Sequence, residues 1–256
     1  MGTVLITGST AGLGRQVAAD LATSGWEVFV HGRDPARTQA VARAIGAAGW
    51  HAADLSSLQE VRRLAEAVGP LDVLVNNAGV GAGTRRAQGR ELSADGHELR
   101  LAVNFLAGFL LTRLLLERIA GRVVNVASIG QAPLDFDDLM LARGYDGFRA
   151  YSQSKLAQIL FTFELADRVR RPAALALHPA TLMDTRMVRE SFGAAHATVR
   201  EGADATVRLI ADPALDGVTG RYFNGLRRAS ADPQAYDAAA RRRLWDVSSA
   251  LVGLAP

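Results

Sequence analysis

Cysteine is absent from the 256 residues, which excludes disulfides, thiolate nucleophiles and cysteine-ligated metal sites. Lysine is almost absent too: of the 29 Lys plus Arg residues, only Lys155 is a lysine. Aromatic residues make up 6% of the chain, and none is interleaved with the scattered arginines in the way base stacking requires. The net charge of +3 therefore does not point to a nucleic-acid partner. Arg241 to Arg243 is the only run of three cations and reads as the solvated face of a C-terminal helix. The stretch from Leu99 to Ala120 is interrupted by Arg100, Asn104, Arg113, Glu117 and Arg118, which suits a buried or interfacial helix and argues against a membrane partner. The N-terminus carries no charged region followed by a cleavable apolar stretch, so a cytoplasmic protein is expected. Beside His178 no second ligand or carboxylate is evident; the residue reads as structural and no metal site is expected. Internal repeats and low-complexity linkers are lacking as well.

What is present is a regular alternation. Hydrophobic residues are 49% of the chain, and the length fits one large α/β domain over residues 1–256 better than two ordinary ones. Thr3 to Thr7 is a β-branched run suited to a strand buried on both faces, and Val17, Ala18 and Leu21 follow at helical spacing. Further strands are predicted at Trp26 to Val30, Trp50 to Ala53, Asp72 to Val75, Arg122 to Val126, Ala173 to Leu177 and Gly220 to Phe223, with helices between them. This predicts an α/β fold: a single-domain, Rossmann-type, doubly wound parallel sheet of about seven strands with helices on both faces and right-handed crossovers.

Between the first strand and helix stands Gly8-Ser9-Thr10-Ala11-Gly12-Leu13-Gly14. Glycines here allow a tight turn and bring backbone N–H groups and a helix N-terminus close to a pyrophosphate, which makes Gly8, Ser9, Gly12, Leu13 and Gly14 candidate dinucleotide contacts. At the end of the second strand, where such a fold meets the adenosine ribose, Arg33 favours a 2′-phosphate and hence NADP over NAD. The alternative for Arg33 is a strand-end residue paired with Asp34. Asp54, with Leu55 after it, lies where an adenine amino group would reach; it suits equally the N-cap of the helix carrying Val61 and Leu64. Asn76-Asn77-Ala78-Gly79 follows the fourth strand, where Asn77, Ala78 and Gly79 suit both backbone bracing and close passage of a cofactor.

Asn104 is an amide inside the apolar stripe of the long helix, and burying it unpaired would cost about 1 to 3 kcal/mol, so it needs a specific partner, structural or catalytic. Ser128 lies at the carboxyl end of the fifth strand, where open α/β sheets place ligands. Tyr151 precedes Lys155 by four residues, one helical face. A phenol titrates near 10, so using it around neutrality requires roughly 4 kcal/mol in favour of phenolate. An ammonium about 4 Å away at an effective dielectric near 20 supplies roughly that much. Read alone, the pattern fits a chance pairing with a surface lysine equally well. Residues 182–200, with Met183, Met187, Val188 and Phe192, suit either an apolar flap over a substrate or an ordinary surface helix.

Taken together, Thr7-Gly8-x-x-x-Gly12-x-Gly14, Asn76-Asn77-Ala78-Gly79, Asn104, Ser128 and Tyr151-x-x-x-Lys155 resemble the short-chain dehydrogenase/reductase family across nearly the whole chain. Val103 to Thr112, Tyr151 to Ala157 and the long interval between Ser128 and Tyr151 are similar to its retinol-dehydrogenase-like branch. The resemblance implies that Tyr151 gives a proton to a ketone or aldehyde oxygen, and that Lys155 lowers the phenol's pKa and holds the nicotinamide ribose. Ser128 would bond the reacting oxygen, Asn104 would fix a water behind the lysine, and Pro179 and Thr181 would meet the carboxamide. Ala180 departs from the glycine usual after that proline, and Thr10 is not the basic residue some NADP-using members carry. The expectation is an NADP-dependent carbonyl reductase or alcohol dehydrogenase acting on a fairly apolar small molecule, and the family suggests a homo-oligomer. A dinucleotide-binding sensor without turnover is the alternative.

Overall fold

The computed structural model describes residues 2–83, 89–185, 187–189 and 195–256. Its strands are β1 (Thr3–Ile6), β2 (Glu27–Gly32), β3 (Gly49–Ala52), β4 (Leu71–Asn76), β5 (Ile119–Val126), β6 (Ala173–His178), β7 (Arg221–Asn224) and β8 (Arg227–Arg228). They form one sheet in the order β3-β2-β1-β4-β5-β6-β7-β8. The first seven run parallel, as the alternation predicts. The eighth is a two-residue antiparallel return on β7, too short to leave a periodic signal in sequence.

Strand side chains alternate between two cores, as the period of 2 requires. Val4 and Ile6 join Val17, Leu21, Val75, Leu177 and Leu209 on the face covered by α1 (Gly12–Thr23) and a later helix, Val199–Ala211. Leu5 and Leu74 join Phe105, Phe109, Leu160 and Phe161 on the other face. Between them, α2 (Pro35–Ile45) follows β2 and α3 (Leu58–Ala67) follows β3. Helix α4 (Leu99–Arg118) is started by Glu98, whose carboxylate accepts from the Leu101 N–H at 2.8 Å. It is apolar and long enough to cross a membrane, but most of its apolar window is buried inside the fold.

Helix α5 (Gly147–Arg168) is started by Asp146, whose side chain accepts from the Arg149 N–H at 2.7 Å. The Val199–Ala211 helix is α6, and α7 (Ala238–Leu251) closes the fold against α5. Trp245 of α7 packs edge-on to Phe109 at 5.4 Å, and the Arg113 and Arg168 guanidiniums lie 4.5 and 4.3 Å from its indole. Arg241 adds ion pairs to Glu164 and Asp167. The packing of α7 thus covers part of the surface of α4 and α5.

Strand order reverses between β1 and β4. In open α/β sheets such a switch point opens a crevice at the carboxyl ends of the strands, and the sequence-selected residues gather there.

Candidate active site

The floor of the crevice is a hydrogen-bonded strap between two of the predicted motifs. The Thr7 hydroxyl accepts from the N–H groups of Asn77 and Ala78, each at 3.0 Å, and the Asn77 side chain donates to the carbonyls of Thr7 at 2.8 Å and Gly8 at 3.1 Å. The strap leaves no room for side chains on the turn. A Cβ on Gly14 would lie 2.5 Å from Asn77 Nδ2, and one on Gly8, whose φ is +64°, would lie 2.8 Å from Ala78 Cα.

Helix α1 has no side-chain N-cap, whereas α2 is capped by Asp34. The backbone N–H groups of Gly12, Leu13 and Gly14 therefore stand at a helix start with no side chain serving them, an arrangement suited to a phosphate. Leu13 contributes only backbone here, since its side chain is in the core. Ser9 departs from its expected role. Its hydroxyl donates to the Ile6 carbonyl at 2.7 Å and accepts from the His31 N–H at 2.9 Å, its own N–H goes to the His31 carbonyl, and the residue is fully buried. It braces the turn from behind. His31, unmarked in the sequence reading, completes the brace: its Nδ1 accepts from the Gly8 N–H at 3.1 Å, and burial pulls its pKa to about 4, keeping the ring neutral.

At the end of β2, Arg33 is exposed. The Asp34 carboxylate is occupied by the Arg37 N–H at 2.7 Å, and no Arg33–Asp34 ion pair is present among the described residues. Asp54 is not the cap of α3: Ser57 is, and Asp54 Oδ1 accepts from the Ser56 N–H at 2.9 Å instead. Leu55 is buried in the core beside it.

The second group surrounds the middle of the crevice. Asn104 lies in a π-helical segment of α4, Ala102–Leu106, a local widening that recurs at functional sites. Its Oδ1 accepts from the Val80 N–H at 2.7 Å, and its Nδ2 donates to the Val80 carbonyl at 3.1 Å and Ser154 Oγ at 2.9 Å. The amide thus has the partners its burial demands. A Cβ on Gly79 would lie 3.2 Å from Asn104 Oδ1 and 3.7 Å from Lys155 Nζ, so glycine there keeps the space above both open.

The Ser128 hydroxyl faces the Tyr151 phenol and acts on its proton affinity, its Oγ accepts from the Gly130 N–H at 3.1 Å, and its carbonyl accepts from Tyr222 Oη and Gln131 Nε2, both at 3.0 Å. Lys155 Nζ lies 5.7 Å from the centroid of the Tyr151 ring. Tyr151 and Lys155 therefore share one face of α5, as the spacing of four predicts. The electrostatics differ from the sequence expectation. Burial raises the Tyr151 pKa, and the Ser128 hydrogen bond works in the opposite direction. Burial also pulls the Lys155 ammonium down to about 7, and its N–H groups go to the Val126 carbonyl at 2.8 Å and Gln158 Oε1 at 3.0 Å. Ser128 is the group that opposes the rise, and the phenol is held as an acid.

Around this centre, His178 Nε2 lies 3.0 Å from Thr181 Oγ1, and burial together with the Lys155 charge brings its pKa to about 4. Pro179 is buried between them. The expected flap lies partly outside the described residues. Its two ends meet where Met183 pairs with Ala197 and the Asp184 N–H donates to the Ala197 carbonyl at 2.9 Å.

A family model described as short chain dehydrogenase matches residues 2–195. The chain belongs to the short-chain dehydrogenase/reductase family. It is 34% identical to retinol dehydrogenase 12 of Homo sapiens over 98% of this chain and 86% of that one. It is 37% identical to a Streptomyces sp. (strain C5) protein named as a daunorubicin C-13 ketoreductase, over 98% and 92%. A crystal structure of an uncharacterized Mycobacterium paratuberculosis protein matches with a TM-score of 0.85 at 33% identity, over 100% of this chain and 94% of that one. This short-chain dehydrogenase/reductase is thus an NAD(P)-dependent oxidoreductase of the retinol-dehydrogenase-like branch.

Proposed function

We propose that the enzyme uses NADP to interconvert a ketone or aldehyde and an alcohol on a fairly apolar small molecule, with Tyr151 as the acid and base. The observation that carries this reading is the Tyr151 phenol facing Ser128 and flanked by Lys155, at the carboxyl end of β5. When bound, the nicotinamide dinucleotide supplies or accepts the hydride. The uncapped start of α1 and the Thr7–Asn77 strap fit its pyrophosphate, and Arg33, free of Asp34, fits a 2′-phosphate. Asp54, with one carboxylate oxygen free of the Ser56 bond, fits the adenine end. The open space over Gly79 and Lys155, bounded by Pro179 and Thr181, fits the nicotinamide riboside.

The chain's own groups handle the proton. In reduction, Tyr151 Oη transfers its proton to the carbonyl oxygen, which Ser128 Oγ also bonds. Lys155 stabilises the resulting phenolate by its charge and connects it to protons behind, through a water that Asn104 would hold. The raised phenol pKa favours this acid role; oxidation of an alcohol needs the phenolate and gains from higher pH.

Following NADPH and NADH absorbance across a panel of ketones and aldehydes tests this reading. Turnover with NADPH preferred supports it. Tight NADPH binding with no oxidation across the panel contradicts it.

A further inference from the structure

The Lys155 ammonium is a buried cation without a counterion among the described residues. It is 4% exposed, burial is the influence that moves its pKa, and no carboxylate acts on it. An ammonium has three donors and no acceptor, so its hydrogen-bond partners have to be acceptors. One is the Val126 carbonyl at 2.8 Å, and the other is Gln158 Oε1 at 3.0 Å. Gln158 is therefore the one side-chain acceptor for the ammonium among the described residues, and it is itself 2% exposed. Its helical turn is tied down beneath it. The Gln158 carbonyl accepts from Thr162 Oγ1 at 2.7 Å, Thr162 accepts from Asn125 Nδ2 at 2.9 Å, and Asn125 Oδ1 accepts from Asn76 Nδ2 at 2.9 Å. A chain of buried polar side chains thus runs from β4 to the turn that carries the amide. The titratable groups facing the ammonium are Tyr151 on its own helix and His178 at the end of β6.

We propose that Gln158 is a positioning residue: it keeps Lys155 in the ammonium form inside the crevice and directs its remaining N–H toward the cofactor space over Gly79. The link to catalysis rests on the proposed function above, but the assignment itself is about one hydrogen bond.

Because Lys155 is the only lysine, protein carrying 13C at lysine Cε gives one side-chain signal in a tag-free chain. Its chemical shift against pH reports the Lys155 charge with no substrate or activity required. A charge-assisted hydrogen bond of ordinary strength corresponds to about one to two pH units. Gln158→Met is therefore expected to lower the midpoint by about that much, and Gln158→Glu, the same shape with a negative charge, to raise it. Circular dichroism establishes independently that each variant is folded, because a raised midpoint is itself the result expected of Gln158→Glu, and the isosteric Glu variant keeps the comparison decisive if the Met variant fails to fold. Coincident midpoints in folded wild type and variants overturn the proposal. Midpoints that move as stated support it, and the alkaline limb of kcat should then move with them. A limb that stays still while the midpoints move counts against the part given to Lys155 in catalysis and not against Gln158.

Discussion

Replacing Lys155 by Met should make the protein more stable while removing its activity, and the pH dependence of the gain can be worked out beforehand. Folding takes the ammonium from its ordinary 10.5 to about 7. At about 1.36 kcal/mol per pKa unit, this costs on the order of 4 kcal/mol at pH 7, where the unfolded lysine is charged and the folded one is half so. Methionine fills a similar volume without the charge, but orphans the Val126 carbonyl and the Gln158 amide, which returns about 1 to 3 kcal/mol. The net expectation at pH 7 is a gain of roughly 1 to 3 kcal/mol. The sign with pH follows from proton counting. Between about 7 and 10.5 the unfolded chain holds a proton that the folded chain has given up, so wild-type stability rises with pH across this window. The methionine variant has no such group, and its advantage should shrink or reverse by pH 10. Urea unfolding of both proteins at pH 7 and pH 10 measures the difference. A gap that does not change between the two pH values refutes the claim that Lys155 is held against a desolvation cost.

Other outcomes follow from the same contacts. Arg33→Asp should weaken NADPH by about one to two decades, the worth of a charge-assisted hydrogen bond, and NADH far less; equal losses in a fluorescence titration would show that Arg33 does not meet the phosphate. Trp245→Ala should cost about 3 to 5 kcal/mol in denaturant unfolding, because it removes the indole that α4 and α5 pack against; a loss below about 1 kcal/mol would mean that α7 is a loose appendage.

The parts of the fold that repeat a period were legible in the sequence. Strands such as Val4-Leu5-Ile6 announce burial on two faces, and the Gly8 to Gly14 turn and the Asn77 strap lie where the spacing places them. The pairing of Tyr151 with Lys155 was legible for the same reason, since a helix converts a spacing of four into a shared face. What sequence could not show is which way a polar side chain turns once both of its options are local. Ser9 reads as a phosphate contact and instead braces the turn from inside. Asp54 reads as an adenine contact or a cap, and Ser57 proves to be the cap. Gln158 carries a legible signal, a polar amide among Leu156, Ile159 and Leu160, the same kind of anomaly that marks Asn104. The direction of the Tyr151 shift was beyond sequence altogether, because it depends on how completely the phenol is desolvated compared with how near the ammonium comes. Two charges or dipoles that are right in kind still need a distance.

The most direct test of the account is the rate of carbonyl reduction by Tyr151→Phe with NADPH binding measured on the same protein. General acid catalysis by a positioned group contributes about 10² to 10⁴ in rate, so kcat should fall by that factor while the NADPH dissociation constant stays close to wild type. Reduction at an undiminished rate by the phenylalanine variant would contradict the assignment of the proton to Tyr151.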